Sequence, residues 1–419
     1  MSLSADTMPS TDTVIIGAGH AGLAMSRCLA DRDVRHVVLD RGCVGDRWRT
    51  ARWDSFRLLT PNWLSRLPGW RYSGPEPDGF MSAGEFAGYL CDYAGSFDAP
   101  VRPYTLVTRV ERAGAGFAVH TGDTVWSARR VVIATGYHSR ANVPALATGL
   151  AADVAQLTAA GYRAPSSLPD GGVLVVGCSA SGVQIAHELA RAGRRVVLAA
   201  GGHTRLPRRY RGRDILWWLD RIGSLERTID EVPDPARAMA EPSLQLAGTV
   251  EGRGLDLDVL RRAGVQLVGR LRTLDGTRAG FADDLPDTVG AAQRRLDRLL
   301  AEFDAYAATM PGTAAGPPDP PPVITVPAGP SRMDLRAGIS AVVWATGYRP
   351  WYPWLKVPVL DSNGRIVHRR GVTDVSGLYA VGLRFQYRRN STLVDGARHD
   401  AAYVADTIAR ARAVTTGCV

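Results

Sequence analysis

Lysine is almost missing from this chain. Of 50 basic residues set against 41 acidic ones, Lys356 is the single lysine, so the net charge of +9 rests on arginine. The arginines are spread along the chain with one cluster at Arg205–Arg213, and no nucleic-acid-binding module accompanies them. A nucleic-acid partner is therefore not expected. An apolar run of the roughly 18 residues that a membrane span needs is also absent. No basic n-region of a signal peptide precedes the first strand near Thr13. A cytoplasmic protein with no integral membrane segment is expected. The five cysteines, Cys28, Cys43, Cys91, Cys178 and Cys418, contain no CxxC pair and no metal-ligand spacing. That excludes a redox dithiol of adjacent cysteines and gives no metal site.

What is present is concentrated in TVIIGAGHAGLAMSRCLADRDVRHVVLD, Thr13–Asp40. It reads as strand, glycine turn, helix and second strand with an acid at its end. Val14–Ile16 suit a central parallel strand buried on both faces. Gly17 permits the tight turn, Gly19 lets the backbone approach a pyrophosphate, and Gly22 lets the helix Ala21–Ala30 pack close to the strand. The helix N-terminus offers free N–H groups and a positive dipole end to phosphates. Asp40, 23 residues after Gly17, is placed to hydrogen-bond a ribose 2′-OH, with Arg41 beside it.

The pattern returns in VLVVGCSASGVQIAHELARAGRRVVLAA, Val173–Ala200. Gly177, Ser179 and Gly182 occupy the places of Gly17, Gly19 and Gly22, with Ser181 in the same turn. Two such turns, 160 residues apart, imply two dinucleotides. Ala200 stands where the first copy has Asp40, so nothing there repels a 2′-phosphate. Thr204, Arg205 and Arg208 follow, and an arginine fork suits a phosphate. The first turn is therefore assigned to FAD and the second to NADPH. The bland reading of the Arg205–Arg213 cluster is a solvated basic patch.

With 419 residues, 45% of them hydrophobic and 22% charged, the chain is long enough for two cores. The fold class expected is α/β with two Rossmann-like dinucleotide-binding domains. The FAD domain takes residues 1–145 and returns over 336–419, with the NADPH domain inserted over 146–335. Arg41–Phe80 reads as a long irregular segment, Ala83–Tyr93 as a helix, and Tyr104–Val110, Gly116–His120 and Thr124–Trp126 as a meander. Arg130–Ile133 is a buried strand ended by Ala134, Thr135 and Gly136, small residues that let backbone pass close to a cofactor. Ala141–Gly171 reads as a loop-rich connector, Thr288–Met310 as a long helix, Ala341–Trp344 as a strand of the returning FAD domain, and Leu393–Arg412 as a closing helix. Trp217 and Trp218 are read as core rather than as a substrate lid.

The motifs GAGHAG at Gly17, GDRWR at Gly45, LLTP at Leu58, ATG at Ala134, GCSASG at Gly177, RLPRRYRGRD at Arg205, WATGYRP at Trp344 and GLYAVGL at Gly377 span nearly the whole chain. In these the sequence resembles the class B flavoprotein monooxygenases. The resemblance implies that NADPH reduces FAD, that the reduced flavin captures O₂ as a C4a-hydroperoxide, and that a small organic substrate takes one oxygen atom. It further implies that Arg47, Trp48 and Thr60 border the flavin, Val107 the adenine, and Gly382 with Leu393 the isoalloxazine end. Asn62, with Thr60, would reach the reacting face. The competing readings are a packed anchor for Trp48 and a turn residue after Pro61 for Asn62. The implied partners are the substrate and O₂, with a homodimer left open.

One departure stands out. The family's linker pattern FxGxxxHxxxY is met by GLAADVAQLTAAGYR, Gly149–Arg163, where Thr158 replaces the histidine and Tyr162 keeps the aromatic. His138 and His399 are the candidates to compensate. The loss keeps alive a second reading, an NADPH-dependent flavin reductase or oxidase that passes electrons to O₂, quinones or a partner without oxygenating a substrate.

Overall fold

The computed structural model describes residues 8–249, 254–311 and 316–416, so Cys418 lies outside the described residues. Strand β1 (Ser10–Ile16) is central because Val14, Ile15 and Ile16 are buried on both faces. Helix α1 (His20–Ala30) and the parallel strand β2 (His36–Leu39) complete the first unit. A short helix α2 (Asp46–Thr50) interrupts the segment read as irregular. Helix α3 (Ala83–Gly95) starts at a capping box formed by Ser82 and Glu85 and buries Phe86, Tyr89, Leu90 and Tyr93. Strands β3 (Val101–Arg102), β4 (Arg109–Ala113), β5 (Gly116–Thr121) and β6 (Thr124–Ile133) give the sheet order β3-β2-β1-β6-β5-β4. The two strands expected at 124–126 and 130–133 are thus one strand of ten residues. The strand expected from Tyr104 begins only at Arg109, since Tyr104 turns the chain with φ 52°.

Strand β7 (Arg140–Ala141) leads into a second, wholly parallel sheet. It is built from β8 (Ala155–Thr158), β9 (Gly172–Val176), helix α4 (Ala180–Arg191), β10 (Val196–Ala199), α5 (Ile215–Arg221), α6 (Leu257–Arg262), β11 (Gln266–Val268), α7 (Leu285–Ala307) and β12 (Ile339–Trp344). Its order is β8-β12-β9-β10-β11. Helix α7 buries Leu285, Val289, Ala292, Leu296, Leu300 and Phe303. Trp218 of α5 lies fully inside, stacked on Phe303 with centroids 5.7 Å apart, as core. Strand β13 (Tyr348–Arg349) pairs antiparallel with β7, β14 (Leu378–Ala380) rejoins the first sheet beside β6, and α8 (Val394–Thr416) packs on α1.

Two expectations need correction. The connector 141–171 contains β8, the edge strand of the second sheet. Strand β12, assigned with 336–419 to the first domain, sits between β8 and β9 of the second. Its apolar run is buried on both faces, as in any central parallel strand, so composition alone does not say which sheet it joins. The crossing between the units is instead the paired segments β7 and β13.

The units also grip each other elsewhere. Arg208 Nη1 donates to the Leu59 carbonyl at 2.8 Å, its guanidinium lies over the Phe80 ring, and Ser55 donates to Glu188 at 2.8 Å. Among the described residues no helix is long and apolar enough to cross a membrane.

Candidate functional site

The first turn is built by close packing. A Cβ on Gly17 would lie 2.6 Å from the Ala134 carbonyl oxygen, and one on Gly22 would lie 1.8 Å from the Gly17 oxygen. Only glycine admits this approach of strand, turn and helix. Gly19 is the N-cap of α1 with no side-chain cap, so the first-turn N–H groups stay available to an anion. Asp40 accepts from the Ala18 N–H at 2.6 Å and from the Gly42 N–H at 2.9 Å, which fixes the carboxylate beside the turn. Thr105 N–H donates to the Asp40 carbonyl, bringing the buried Val107 alongside. Two buried polar atoms here, His20 Nε2 and Thr135 Oγ1, have no protein partner. Such atoms fit the oxygens of a phosphate or ribose. At the end of β14, a Cβ on Gly382 would lie 2.8 Å from that of Ala21 in α1, which places it at this turn. Gly136 has φ 76°, and Leu393 leads into α8, whose first turn is held by Asp395 between Arg66, Arg398 and Asn390.

The second turn repeats this geometry. A Cβ on Gly177 would lie 2.5 Å from the Ala345 oxygen, and one on Gly182 would lie 1.8 Å from the Gly177 oxygen. Ser179 is an N-cap without a side-chain cap, and Ser181 follows within the first turn of α4. Both ATG segments, 134–136 and 345–347, therefore lie over their own turns. The second is also tied to the stretch that follows the first. Asn142 N–H donates to the Gly347 carbonyl at 2.9 Å, Thr346 Oγ1 donates to the Asn142 carbonyl at 2.6 Å, and the His138 and Tyr348 rings meet edge-on at 4.8 Å.

Between the turns stands a cationic wall. Arg47 Nη2 donates to the His138 carbonyl at 2.6 Å, and Arg52 lies over the rings of Trp48 and Phe56. His138 is exposed. The protein crowded around it, with Arg52, Arg47 and Arg384 nearby, lowers its pKa; burial lowers His20 to about 4. Both rings are neutral at neutral pH. Trp48 is a packed anchor, edge-on to Phe86 at 4.7 Å with Arg52 above it. Arg41 is exposed, and Thr60 is buried on the loop that receives Arg208.

Several side chains expected at the site are engaged elsewhere. Asn62 Nδ2 donates to the Glu76 carbonyl at 2.9 Å and its Oδ1 accepts from Met81 N–H at 2.9 Å. It braces the loop 62–81. Arg205, 3% exposed, is neither a solvated patch nor a free phosphate ligand. Its guanidinium donates to Asp256 at 2.7 and 3.1 Å, to Gln293 and to the Pro322 carbonyl. Arg208, 1% exposed, is held by Asp214 at 2.5 Å and by Leu59. Thr204 Oγ1 faces the Pro242 carbonyl.

The cation that does stand at the end of β10 is Arg270. Its Nε lies 3.6 Å from the position of a Cβ on Gly201, and its nearest carboxylate, Asp284, is 3.9 Å away. It follows β11, which pairs with β10, and no fixed offset from Gly177 marks it in the sequence. Thr158 ends β8 opposite Trp344, and Tyr162 is buried with its hydroxyl on Glu188 at 2.8 Å. His399 lies instead beside Glu226, 3.3 Å away, and takes no part in this cleft. Burial pushes the Cys28 and Cys178 thiols up to about 12, so neither is a reactive thiol. The described residues contain no cluster of metal-ligating side chains.

The model of the pyridine nucleotide-disulphide oxidoreductases matches residues 14–213, covering β1 through both turns. A CzcO-like oxidoreductase of Geobacillus kaustophilus, itself uncharacterized, is 31% identical over 400 residues, 95% of this chain and 98% of that protein. The chain belongs to the CzcO-like oxidoreductase family. The probable indole-3-pyruvate monooxygenase YUCCA4 of Arabidopsis thaliana is 31% identical over 184 residues, 42% of this chain and 44% of that protein. A flavin-containing monooxygenase from Stenotrophomonas maltophilia shares the fold with a TM-score of 0.66 at 20% identity, covering 98% of this chain and all of that one. The sequence likeness to a monooxygenase thus covers 42% of the chain, and the α/β fold with two dinucleotide-binding units is shared over the whole of it.

Proposed function

We propose that this oxidoreductase binds FAD at the first turn and NADPH at the second, and uses O₂ to place one oxygen atom on a small organic substrate. The observation that carries the reading is the tie between the second ATG segment and Asn142, which follows the first, each ATG segment lying over its own glycine turn. It holds together the stretches that follow the two turn covers, which supports hydride transfer between two cofactors.

Bound there, the flavin would accept a hydride from the nicotinamide and pass two electrons to O₂. The chain's own groups do the positioning. The free N–H groups of α1 and the carboxylate of Asp40 suit a pyrophosphate and a ribose. The N–H groups of α4 suit the second pyrophosphate, and Arg270, beside Gly201, suits a 2′-phosphate. Ala200 in place of an acid adds no repulsion. Arg47 and Arg52 keep the cleft positive, while His138 and His20, held neutral, can exchange hydrogen bonds without adding charge.

A second reading, an NADPH-dependent flavin reductase or oxidase that leaves its substrate unoxygenated, is favoured by Thr158 in place of the linker histidine. One measurement separates the two. NADPH and O₂ consumption, H₂O₂ release and product are followed with amines, sulfides, ketones and indoles. An oxygenated product with H₂O₂ falling short of NADPH consumed supports oxygenation. One H₂O₂ per NADPH whatever is offered selects the second reading, and a protein that takes up no flavin removes both.

A further inference from the structure

Cys43 lies in the turn between β2 and α2, and Cys91 lies on α3, 48 residues further along. Both thiols are free, Cys43 half-buried and Cys91 exposed. They meet at one guanidinium. Arg49 Nη1 is 3.9 Å from Cys43 Sγ, and Arg49 Nη2 is 3.7 Å from Cys91 Sγ. Cys91 Sγ–H also donates to the carbonyl of Val44, the residue after Cys43, at 3.6 Å, and Arg49 Nη1 donates to that carbonyl at 3.0 Å. Two sulfurs from different elements are thus gathered on one planar group at the surface. Cys43 lies between Gly42 and Val44 in the turn, and Cys91 is on the helix beside it.

We propose that Cys43 and Cys91 are a peroxide-oxidised thiol pair that closes to a disulfide. Access selects Cys91 as the first target. Its sulfur attacks the O–O bond of hydrogen peroxide, giving a sulfenic acid and one water. The Cys43 sulfur then displaces the hydroxyl, forming the S–S bond and releasing a second water. Two thiols lose two electrons and two protons, and one peroxide is reduced. The buried Cys28 and Cys178 stay outside this chemistry. The bond would tie α3 to the turn whose Gly42 N–H holds Asp40, and so reaches the first nucleotide turn. The cross-link itself stands whether or not the proposed oxygenation is right, because the peroxide is supplied.

The full-length protein is treated with excess hydrogen peroxide, alkylated, digested with trypsin and mapped without reduction. The expected result is the peptide 42–47 joined to 72–109, Pro103 protecting Arg102 from cleavage, with two thiols lost and dithiothreitol restoring them. Cys43→Ser and Cys91→Ser should each abolish the joined peptide. In Cys43→Ser, the remaining Cys91 should be trapped by a sulfenic-acid reagent. Both thiols still open to alkylation after peroxide, oxidation that stops at separate sulfinic acids, or a cross-link to Cys418 in place of the pair would each overturn the proposal.

Discussion

The carbonyl oxygen of Ala345 closes over Gly177, so near that a Cβ on the glycine would come within 2.5 Å of it. The two residues are far apart in the chain, and the contact exists only because β12 lies beside β9 in the second sheet. Ala134 makes the same approach to Gly17 in the first. Each turn is therefore closed by an alanine at the end of the neighbouring strand, and each depends on the absence of side chains at two glycines.

Gly182→Ala should damage the second turn alone. Its Cβ would lie 1.8 Å from the Gly177 oxygen, which is backbone and cannot swing aside. Overpacking of this kind costs about 1–3 kcal/mol. KM for NADPH should rise roughly ten- to a hundredfold, while the flavin content of the purified protein stays unchanged. Loss of the flavin with NADPH binding intact would place the cofactors the other way round.

Arg270→Ala should raise KM for NADPH and spare NADH. A charged hydrogen bond to a 2′-phosphate is worth about 1.5–3 kcal/mol. Arg205→Ala, by contrast, should leave the NADPH-to-NADH preference alone and lower the melting temperature. Breaking a buried pair costs about 3 kcal/mol or more, and each kcal/mol lowers the midpoint by about 2–4 °C in a unit of this size. Coenzyme preference that shifts with Arg205 and not with Arg270 would restore the assignment read from the sequence.

These two arginines show where sequence reading stops. The turns at Gly17 and Gly177 were legible because strand, glycine spacing and helix are local, and their chemistry follows from backbone geometry. Whether an arginine is free to meet a ligand depends on what surrounds it. Arg205 is consumed by Asp256, Gln293 and Pro322, none of them near it in sequence. Arg270 reaches the second turn through the pairing of β10 with β11. Strand β12 was recognisable as a buried strand but not as a member of the second sheet, because every central parallel strand reads alike. The repeated ATGY was visible as an echo, and its role as the cover of each turn came only with the fold.

Asn62→Ala should act on stability more than on chemistry. It removes two hydrogen bonds that hold the loop 62–81 and leaves the buried Met81 N–H unpaired, at a cost of about 1–3 kcal/mol, while the Glu76 carbonyl keeps the Gly79 N–H. A lower melting temperature is expected, with the rate of flavin reduction by NADPH in single-turnover mixing essentially unchanged. A large fall in that rate with the melting temperature preserved would return Asn62 to the reacting face.

A histidine beside the first turn sets a pH dependence. His20 is lowered to about 4 in the folded protein by burial, against an ordinary value near 6.5. As pH falls below about 6.5 the unfolded chain takes up protons that the folded chain does not, so stability is lost between there and about pH 4. Asp400 works the other way. Burial raises its carboxyl to about 6, so the folded state binds its proton first and gains stability as pH falls from about 6 towards the ordinary carboxylate range. The two contributions oppose each other in the same window, and single variants separate them. Between pH 7 and pH 5 the melting temperature of His20→Asn should fall less than that of the unaltered protein, and that of Asp400→Asn should fall more. Identical pH profiles for His20→Asn and the unaltered protein would mean that the ring is protonated as freely in the fold as in water.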